Sequence, residues 1–288
     1  MSTSFQTLVS AAGLKAMIDA GAAPVLLDCR FDLADPAAGA RAYATGHLPG
    51  AHYLHLDDDL AGAKHGPDGR FRGRHPLPDL ACFAALAGAL GITPATQVVT
   101  YDAQGGMFAA RAWWLLRWIG HRAVAVLDGG IAGWTATGGM LDTAVPPRNA
   151  GAAPYPPGPT AMPTIEAAPL QEQLRQLTIV DARAPERYRG EVEPLDRVAG
   201  HIPGALNRFL RVNLQADGRF KNADTLRQEF AALLGGQKPS QVVHQCGSGV
   251  SACVNLLAME HAGLGGSLLY PGSWSEWSAD PHRPVARS

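Results

Sequence analysis

One cysteine in a glycine-rich loop is the residue best suited to chemistry in this chain. The segment Cys246-Gly-Ser-Gly-Val-Ser-Ala252 follows an apolar run at 241–245 and precedes a helical pattern that continues to His261. Glycines at 247 and 249 permit backbone angles closed to other residues, so successive N–H groups can turn toward the sulfur. With the N-terminus of the next helix, this predicts an anion-binding loop that holds Cys246 as a thiolate nucleophile. The alternative is a buried, inert cysteine, which the position at a strand's carboxyl end disfavours.

Cysteine phosphatases are one class of enzyme that uses a thiolate in such a loop. A cysteine phosphatase also needs an arginine a few residues after the nucleophile, because a guanidinium must clamp the phosphoryl oxygens. Ala252 occupies that place, and no Arg or Lys occurs between Cys246 and Ala252. The sequence therefore disfavours a phosphatase.

The chain repeats its motifs in one order, which indicates a tandem duplication. The matching segments are 25–30 with 179–183, 46–51 with 200–205, 98–102 with 242–246, and 128–134 with 271–277. Asp102 stands where Cys246 stands. The first copy therefore lacks the cysteine.

Each half alternates short apolar runs with helical periodicity. A helix capped by Ser10 and closed by Gly21 precedes a strand at 24–28. Three leucines between 170 and 177 mark a second helix before a strand at 178–181. The alternation predicts an α/β fold with two similar domains, each a parallel sheet flanked by helices on both faces.

Prolines and glycines concentrate between Thr137 and Pro163, where they deny the backbone a regular hydrogen-bonded ladder. We expect a first domain at 1–137 without the catalytic cysteine, a Pro/Gly-rich linker at 138–163 and a catalytic domain at 164–288.

Composition excludes several classes of protein. Lys and Arg total 24 against 25 Asp and Glu, so no basic field attracts nucleic acid or an anionic membrane. The uncharged stretch 80–101 is broken by Pro94 and polar residues, and no basic leader precedes an apolar core at the N-terminus, so neither a membrane span nor a signal peptide is expected. The 4 cysteines fit neither a disulfide framework nor a zinc site. We expect a soluble, cytoplasmic protein.

The motifs resemble those of the tandem-domain rhodanese sulfurtransferases over nearly the whole chain. The resemblance rests on the two Gly-His-x-Pro-Gly-Ala motifs, Trp113-Trp114, the Cys246-Gly-Ser-Gly-Val loop and Gly272-Ser-Trp-x-Glu-Trp277. It implies that Cys246 accepts a sulfane sulfur as a persulfide and passes it to a thiol or cyanide. No cofactor is implied, and the expected partners are a small-molecule sulfur donor and a thiol acceptor, either a small thiol or a thioredoxin-like protein.

The loop also bears on the donor. Thiosulfate-preferring members of the family carry basic side chains directly after the cysteine, whereas Gly247 and Ser248 resemble the members that use 3-mercaptopyruvate and release pyruvate. Two alternatives stay open at this point. The donor could be thiosulfate, or both domains could form a binding module without enzymatic activity.

The resemblance implies roles for particular residues. Arg187 and Arg197 would bind the donor's carboxylate and keto group, with Arg189 as the alternative to Arg197. Ser248, His75 and Asp57 would handle protons. Backbone N–H groups would stabilise the sulfur anion from the loop residues Gly247, Ser248, Gly249, Val250 and Ser251.

The duplication supplies an internal control for these assignments. Arg183 and His201 have twins in Arg30 and His47, which indicates structural roles in both domains. By constant shift, Arg187 falls on Ala34 and Arg197 on Tyr43, so neither has a basic twin. Two departures from the family stand out: Ser251 replaces Thr, and Pro271 replaces Asp in a turn. Cys253 is expected to pack in the helix.

Overall fold

The computed structural model describes residues 4–160 and 162–288, which form two α/β units. The first unit contains the described residues of Met1–Ala61, Pro78–Ala161 and Ala216–Arg219. The second contains Gly62–Leu77, Met162–Gln215 and Phe220–Ser288. The expected division placed residues 62–77 in the first domain and residues 216–219 in the second. In the structure each of these segments belongs to the other unit. Motif order along the chain does not reveal where each loop packs.

A five-stranded parallel sheet forms the centre of the first unit, in the order β1-β5-β4-β2-β3. Its strands are β1 (Leu8–Val9), β2 (Val25–Asp28), β3 (His52–Tyr53), β4 (Val98–Tyr101) and β5 (Val124–Leu127). Its helices are α1 (Ala11–Asp19), α2 (Ala38–Thr45), α3 (Leu56–Asp59), α4 (Leu80–Ala89), α5 (Ala109–Trp118) and α6 (Gly130–Ala136).

The second unit repeats this order with a four-stranded parallel sheet, β7-β6-β8-β9. Its strands are β6 (Thr178–Asp181), β7 (Leu206–Asn207), β8 (Val242–Gln245) and β9 (Leu268–Leu269). Its helices are α7 (Ala167–Glu172), α8 (Pro185–Arg189), α9 (Ala223–Leu234), α10 (Ala252–His261) and α11 (Ser273–Trp277), with 3₁₀ turns at Leu210–Asn213 and Pro239–Gln241. Thr164 makes a parallel bridge to Leu269, at the sheet edge that β1 occupies in the first unit. The matching strand orders support the duplication read from the motifs.

Burial of the central strands explains their continuous apolar sequence. Every residue of β4, β5 and β8 is buried, as expected for parallel strands covered on both sides. In the first unit, Leu26 packs into a core with Leu14 and Trp134, while its neighbour Leu27 lines a second apolar cluster with Phe83. Successive residues of β2 therefore face different layers of helices.

The predicted boundaries hold at most positions and shift at a few. Ser10 caps α1 by accepting a hydrogen bond from Gly13 N at 3.1 Å, as expected. The strands expected at 24–28 and 241–245 begin one residue later, since Pro24 has no N–H and Gln241 closes a 3₁₀ turn. The helix expected through 177 ends at Glu172.

Helix α7 ends early because of the hydrogen bonds that the chain forms just before β6. The N–H groups of Gln176 and Leu177 both donate to the carbonyl of Gln173, so the chain turns there. Leu174 and Leu177 nevertheless pack against the core as their apolar character requires.

The Pro/Gly-rich segment lies along the first unit. Asp142 bridges to His47, Tyr155 N donates to the carbonyl of Ala84, and Gly158 N donates to that of Ile119. The prolines deny this segment a regular ladder, but several of its N–H groups still find acceptors. Across the described residues, no helix is both long enough and apolar enough to cross a membrane.

Candidate active site

Cys246 lies at the carboxyl end of β8 and is 1% exposed. Its N–H donates to Ser273 Oγ at 3.1 Å, and its carbonyl accepts from Trp274 N at 3.0 Å. Ser273 has φ +53, a conformation that costs a non-glycine residue some energy, and it occupies the place of Gly130 in the first unit, where φ is +57. The first residues of α11 thus hold the backbone of Cys246 through these two hydrogen bonds.

The two loop glycines serve different purposes. Gly249 lies at φ +75, and a Cβ there would also clash with the carbonyl of Pro271. Gly247 lies outside the left-handed region, which corrects the sequence-based view that both glycines are needed for their backbone angles. A Cβ on Gly247 would instead meet guanidinium nitrogens, at 2.7 Å from Arg74 and 3.4 Å from Arg187. The missing side chain makes room for two arginines.

The equivalent loop of the first unit shows what this backbone binds. The carboxylate of Asp102 is buried and accepts four backbone N–H bonds of 2.8–3.0 Å, from Gln104, Gly106, Phe108 and Ala109. The first copy of the loop therefore holds a negative charge of its own.

In the second unit the corresponding N–H groups have no such acceptor. Three of these N–H groups lie two, four and six residues after Cys246, as their counterparts do after Asp102. They belong to Ser248, Val250 and Ala252. Within the described parts of the chain, these three N–H groups donate to no protein atom. They remain available to an anion at the cysteine.

A histidine from the first half of the sequence reaches this loop. His75 belongs to the segment Gly62–Leu77 of the second unit, and its Nδ1 is hydrogen-bonded to Ser248 Oγ at 2.8 Å. Both side chains are buried. Two of the residues expected to handle protons are thus brought together beside Cys246.

The other expected residues fall in different places. Arg187, in the middle of α8, has its guanidinium near the loop, since a Cβ built on Gly247 would lie 3.4 Å from Arg187 Nη1. The side chain of Arg197 is exposed and has no hydrogen bond or ion pair to any described residue, and Arg189 pairs with Glu191 at the surface. Neither arginine forms a hydrogen bond or ion pair with the described residues of the cysteine loop, and the donor-binding role expected of one of them stays a prediction. Asp57 lies half-buried in α3 of the first unit, and its proposed role stays a prediction.

The twin residues behave as the duplication predicts. Arg30 pairs with Asp28 at 2.6 Å and donates to the carbonyl of Gly46, while Arg183 pairs with Asp181 at 2.6 Å and donates to that of Gly200. In both units, this pair ties the end of a central strand to the Gly-His turn.

The twin histidines correct the register of the alignment. His47 stacks on Tyr43 and bonds to its carbonyl four residues back, whereas His201 does the same with Tyr188 thirteen residues back. Tyr188 is therefore the twin of Tyr43, and Arg187 corresponds to Ala42, not Ala34. The nine extra residues before His201 contain Arg197, which consequently has no counterpart.

That insertion also carries two carboxylates that the motif analysis did not single out. Glu193 pairs with Arg187 at 2.6 Å and with Arg183 at 3.4 Å. Asp196 pairs with Arg187 at 3.4 Å and also with Arg74. Burial raises the pKa of Asp196, and the Arg74 guanidinium acts in the opposite direction. No spacing in the sequence signals these contacts, because they depend on how the insertion folds back on α8.

Of the remaining cysteines, Cys29 and Cys253 are buried and Cys82 is exposed. Cys253 is buried in α10 and its Sγ donates to the carbonyl of Gly249 at 3.4 Å, as expected for a packed residue. Burial raises the pKa of the Cys29 thiol, and the Asp28 carboxylate adds to this effect. Within the described ranges, no group of three or more His, Cys, Asp or Glu side chains is arranged to hold a metal ion.

A buried cysteine at the end of a parallel strand, an N–H-lined loop and a cysteine-free copy of the same unit define a two-domain protein of the thiol group-transfer class. The rhodanese-like domain family matches the chain twice, over residues 10–137 and 166–280. The chain belongs to the rhodanese family and is a sulfurtransferase.

Named relatives agree with this assignment. A Pseudomonas aeruginosa protein with the provisional name 3-mercaptopyruvate sulfurtransferase is 50% identical, over 91% of this chain and 92% of the relative. A Mycobacterium tuberculosis protein with the provisional name thiosulfate sulfurtransferase is 42% identical, over 98% and 97%. The solved structure of the 3-mercaptopyruvate sulfurtransferase from Leishmania major superposes with a TM-score of 0.78 at 28% identity, over 95% of this chain and 74% of that one.

Proposed function

We propose that the protein transfers sulfur from 3-mercaptopyruvate through a persulfide on Cys246. The Cys246 thiolate attacks the thiol sulfur of the donor, and a sulfur–sulfur bond forms as the donor's carbon–sulfur bond breaks. The bonding pair stays on carbon as the enolate of pyruvate, which then takes a proton and leaves. In the second half-reaction, an acceptor thiolate attacks the outer sulfur and releases the Cys246 thiolate.

The observation that carries this proposal is the loop around Cys246. Its N–H groups at Ser248, Val250 and Ala252 correspond to groups that bind the Asp102 carboxylate in the first unit. Because they donate to no acceptor in the part of the protein that the structure describes, they can stabilise the thiolate before attack and the persulfide after it. On this account, the first unit is a non-catalytic domain whose loop is occupied by its own side chain.

Proton handling falls to Ser248 and His75. Their 2.8 Å hydrogen bond lets the serine hydroxyl pass a proton to the enolate carbon while the imidazole replaces it. Asp57 is retained as a third candidate for this role. Arg187 would hold the donor carboxylate, since its guanidinium lies beside Gly247, where a Cβ would come within 3.4 Å of Arg187 Nη1.

The proposal is tested by incubating the protein with 3-mercaptopyruvate and a small thiol and measuring pyruvate and sulfide. We expect both products from the wild-type protein and neither from Cys246→Ser. Cys253→Ser is the matched control, because it removes a second buried cysteine from the same unit and should leave both products unchanged. Persistent turnover by Cys246→Ser would refute the mechanism.

Thiosulfate is the second candidate donor, favoured by the name of the Mycobacterium tuberculosis relative. A comparison of kcat/KM for the two donors decides between them. We expect 3-mercaptopyruvate to be preferred. Arg187→Ala should lower kcat/KM more for 3-mercaptopyruvate than for thiosulfate, because it removes a carboxylate partner. Equal losses would refute the role given to Arg187.

The acceptor we propose is a thiol, either a small molecule or a thioredoxin-like protein, in the cytoplasm. The four cysteines are free in the structure, which suits a reducing compartment rich in thiol acceptors.

A further inference from the structure

Tyr101 and Gln245 occupy matching places at the ends of the two central strands. Tyr101 is the last residue of β4 and pairs with Asp28 of β2, while Gln245 is the last residue of β8 and pairs with Asp181 of β6. Both side chains are fully buried. The two units therefore place different polar side chains at one position of the same core.

In the first unit, the hydroxyl of Tyr101 joins two parts of the chain. It donates to Asp28 Oδ2 at 2.9 Å and accepts from the backbone N–H of Leu48 at 3.1 Å. Leu48 belongs to the Gly-His turn, which is also held by the ion pair of Asp28 with Arg30. One oxygen atom thus satisfies a buried donor and a buried acceptor.

The second unit has the same turn beside Gln245. Ala205 N donates to the carbonyl of Ile202 at 3.0 Å, as Ala51 N does to that of Leu48 at 2.9 Å. The arginine of the Asp–Arg pair also reaches the turn at nearly the same distance, 2.7 Å here against 2.8 Å in the first unit. The N–H of Ile202 therefore corresponds in place to the N–H of Leu48.

The carboxylate on the other side of this point also corresponds. In the first unit, Asp28 Oδ2 accepts the Tyr101 bond in addition to two bonds from Arg30, at 3.0 and 2.6 Å. Asp181 Oδ2 accepts two bonds of the same lengths from Arg183. It can therefore take a third bond, as its twin does.

Gln245 does not supply the oxygen that Tyr101 supplies. Its Nε2 and Oε1 are both buried, and neither has a hydrogen-bond partner among the residues that the structure describes. Within 4–160 and 162–288, the N–H of Ile202 likewise donates to no protein atom. Buried polar groups are costly without a partner, so these three atoms favour a small polar ligand between them.

We propose that the second unit binds one buried water molecule at the position that the Tyr101 hydroxyl occupies in the first. The water accepts from Ile202 N, donates to Asp181 Oδ2 and shares a third hydrogen bond with the amide of Gln245. Three partners are usual for a buried water. A glutamine side chain is shorter than a tyrosine side chain, and one hydrogen bond of about 2.8 Å makes up the difference.

This water would connect the strand that carries the nucleophile to the Gly-His turn. Gln245 directly precedes Cys246, and the turn is the one that ends the nine-residue insertion. In the first unit a side chain makes this connection directly, and in the second a water makes it together with Gln245. The site involves neither a sulfur donor nor an acceptor, so it is independent of the proposed sulfur transfer.

A high-resolution crystal structure of the full chain tests the proposal. We expect a water within hydrogen-bond distance of Ile202 N, Asp181 Oδ2 and the Gln245 amide. Tyr101 is the internal control, because its hydroxyl should occupy the matching point of the first unit. A direct hydrogen bond from the Gln245 amide to Asp181, or no water at this point when other buried waters are resolved, would overturn the proposal.

Nuclear magnetic resonance gives a second test in solution. In protein labelled with ¹⁵N-isoleucine, the Ile202 amide should show a cross-peak to bound water, while the Ile179 amide inside β6 should show none. Gln245→Leu should weaken the Ile202 cross-peak about fivefold, as expected for loss of one hydrogen bond to the water. Gln241→Leu is the matched control, because Gln241 is exposed just before the same strand.

Each result of this second test decides the question. A wild-type Ile202 amide without a water cross-peak would overturn the site, and an unchanged cross-peak in Gln245→Leu would overturn the role given to Gln245. Thermal unfolding shows whether Gln245→Leu is folded, and Gln245→Met is the substitute if it is not. A protein that failed to release pyruvate from 3-mercaptopyruvate would refute the proposed function and leave these measurements unaffected.

Discussion

Asp102 and Cys246 occupy the same position in the two units, each directly after the carboxyl end of a central parallel strand. The carboxylate of Asp102 fills its loop with four backbone hydrogen bonds. At Cys246, three matching N–H groups donate to no protein atom among residues 4–160 and 162–288. The loop N–H groups therefore stabilise the fold in the first unit, and the equivalent groups remain available to a ligand in the second.

This relationship predicts that substitution at the two positions costs the two units different amounts of stability. Asp102→Ala should destabilise the first unit by about 3 kcal/mol, because it leaves several buried N–H groups without partners. Cys246→Ala should cost the second unit about 1 kcal/mol or less, since its loop N–H groups already lack acceptors. The loss of stability in each unit is measured by urea unfolding, with hydrogen exchange followed at residues 103–109 for the first unit and 247–252 for the second. Equal costs for the two substitutions would contradict the assigned difference between the loops.

The hydrogen bond between His75 and Ser248 predicts coupled effects on turnover. Ser248→Ala and His75→Asn should each lower kcat for pyruvate release about a hundredfold, as for loss of a general acid. The double variant should be little worse than either single one, because each substitution breaks the same relay. The controls are the rate of iodoacetamide alkylation at Cys246 and the thermal unfolding temperature. Multiplicative losses in the double variant would show that the residues act separately.

His244 predicts sensitivity of the second unit to acid. Burial lowers its pKa from 6.5 to about 3, and the nearby Arg208 guanidinium acts in the same direction. Below pH 6.5 the unfolded chain takes up a proton that the folded chain refuses until about pH 3, so stability is lost as pH falls through this window. At pH 5 the loss from this residue is about 2 kcal/mol relative to pH 8.

His244→Leu should remove this part of the acid sensitivity. Urea midpoints at pH 5 and pH 8 should therefore differ less for the variant than for the wild-type protein. His282→Leu is the matched control, because His282 is exposed in the same unit and its replacement should leave the difference unchanged. An unaltered pH dependence in His244→Leu would show that His244 is not kept neutral by the fold.

The sequence predicted the repeated fold because that fold depends on local patterns. Apolar runs, caps and the Gly-His turns are each contained in a few residues, and the twin pairs at Asp28 and Asp181 behave alike in the structure. The cysteine loop was predictable for the same reason. Its strand, glycines and helix are contiguous in the chain.

The contacts of Arg74 with Asp196 and Ser275 could not be predicted, because they depend on where a loop from the first half of the sequence packs. The alignment of the two halves was wrong before His201 for a related reason, because a nine-residue insertion there carries Glu193 and Asp196. Only the stacked Tyr–His pairs of the two units reveal this insertion. Insertions change spacing without changing the motifs on either side.

The most direct test of the account is a single turnover with 3-mercaptopyruvate in the absence of any acceptor. Intact-protein and peptide mass spectrometry should find one added sulfur atom on Cys246, with pyruvate released in equal amount and no sulfur on Cys29, Cys82 or Cys253. Addition of a thiol should then remove that sulfur. Release of pyruvate with Cys246 unmodified, or sulfur bound at another cysteine, would contradict the persulfide mechanism.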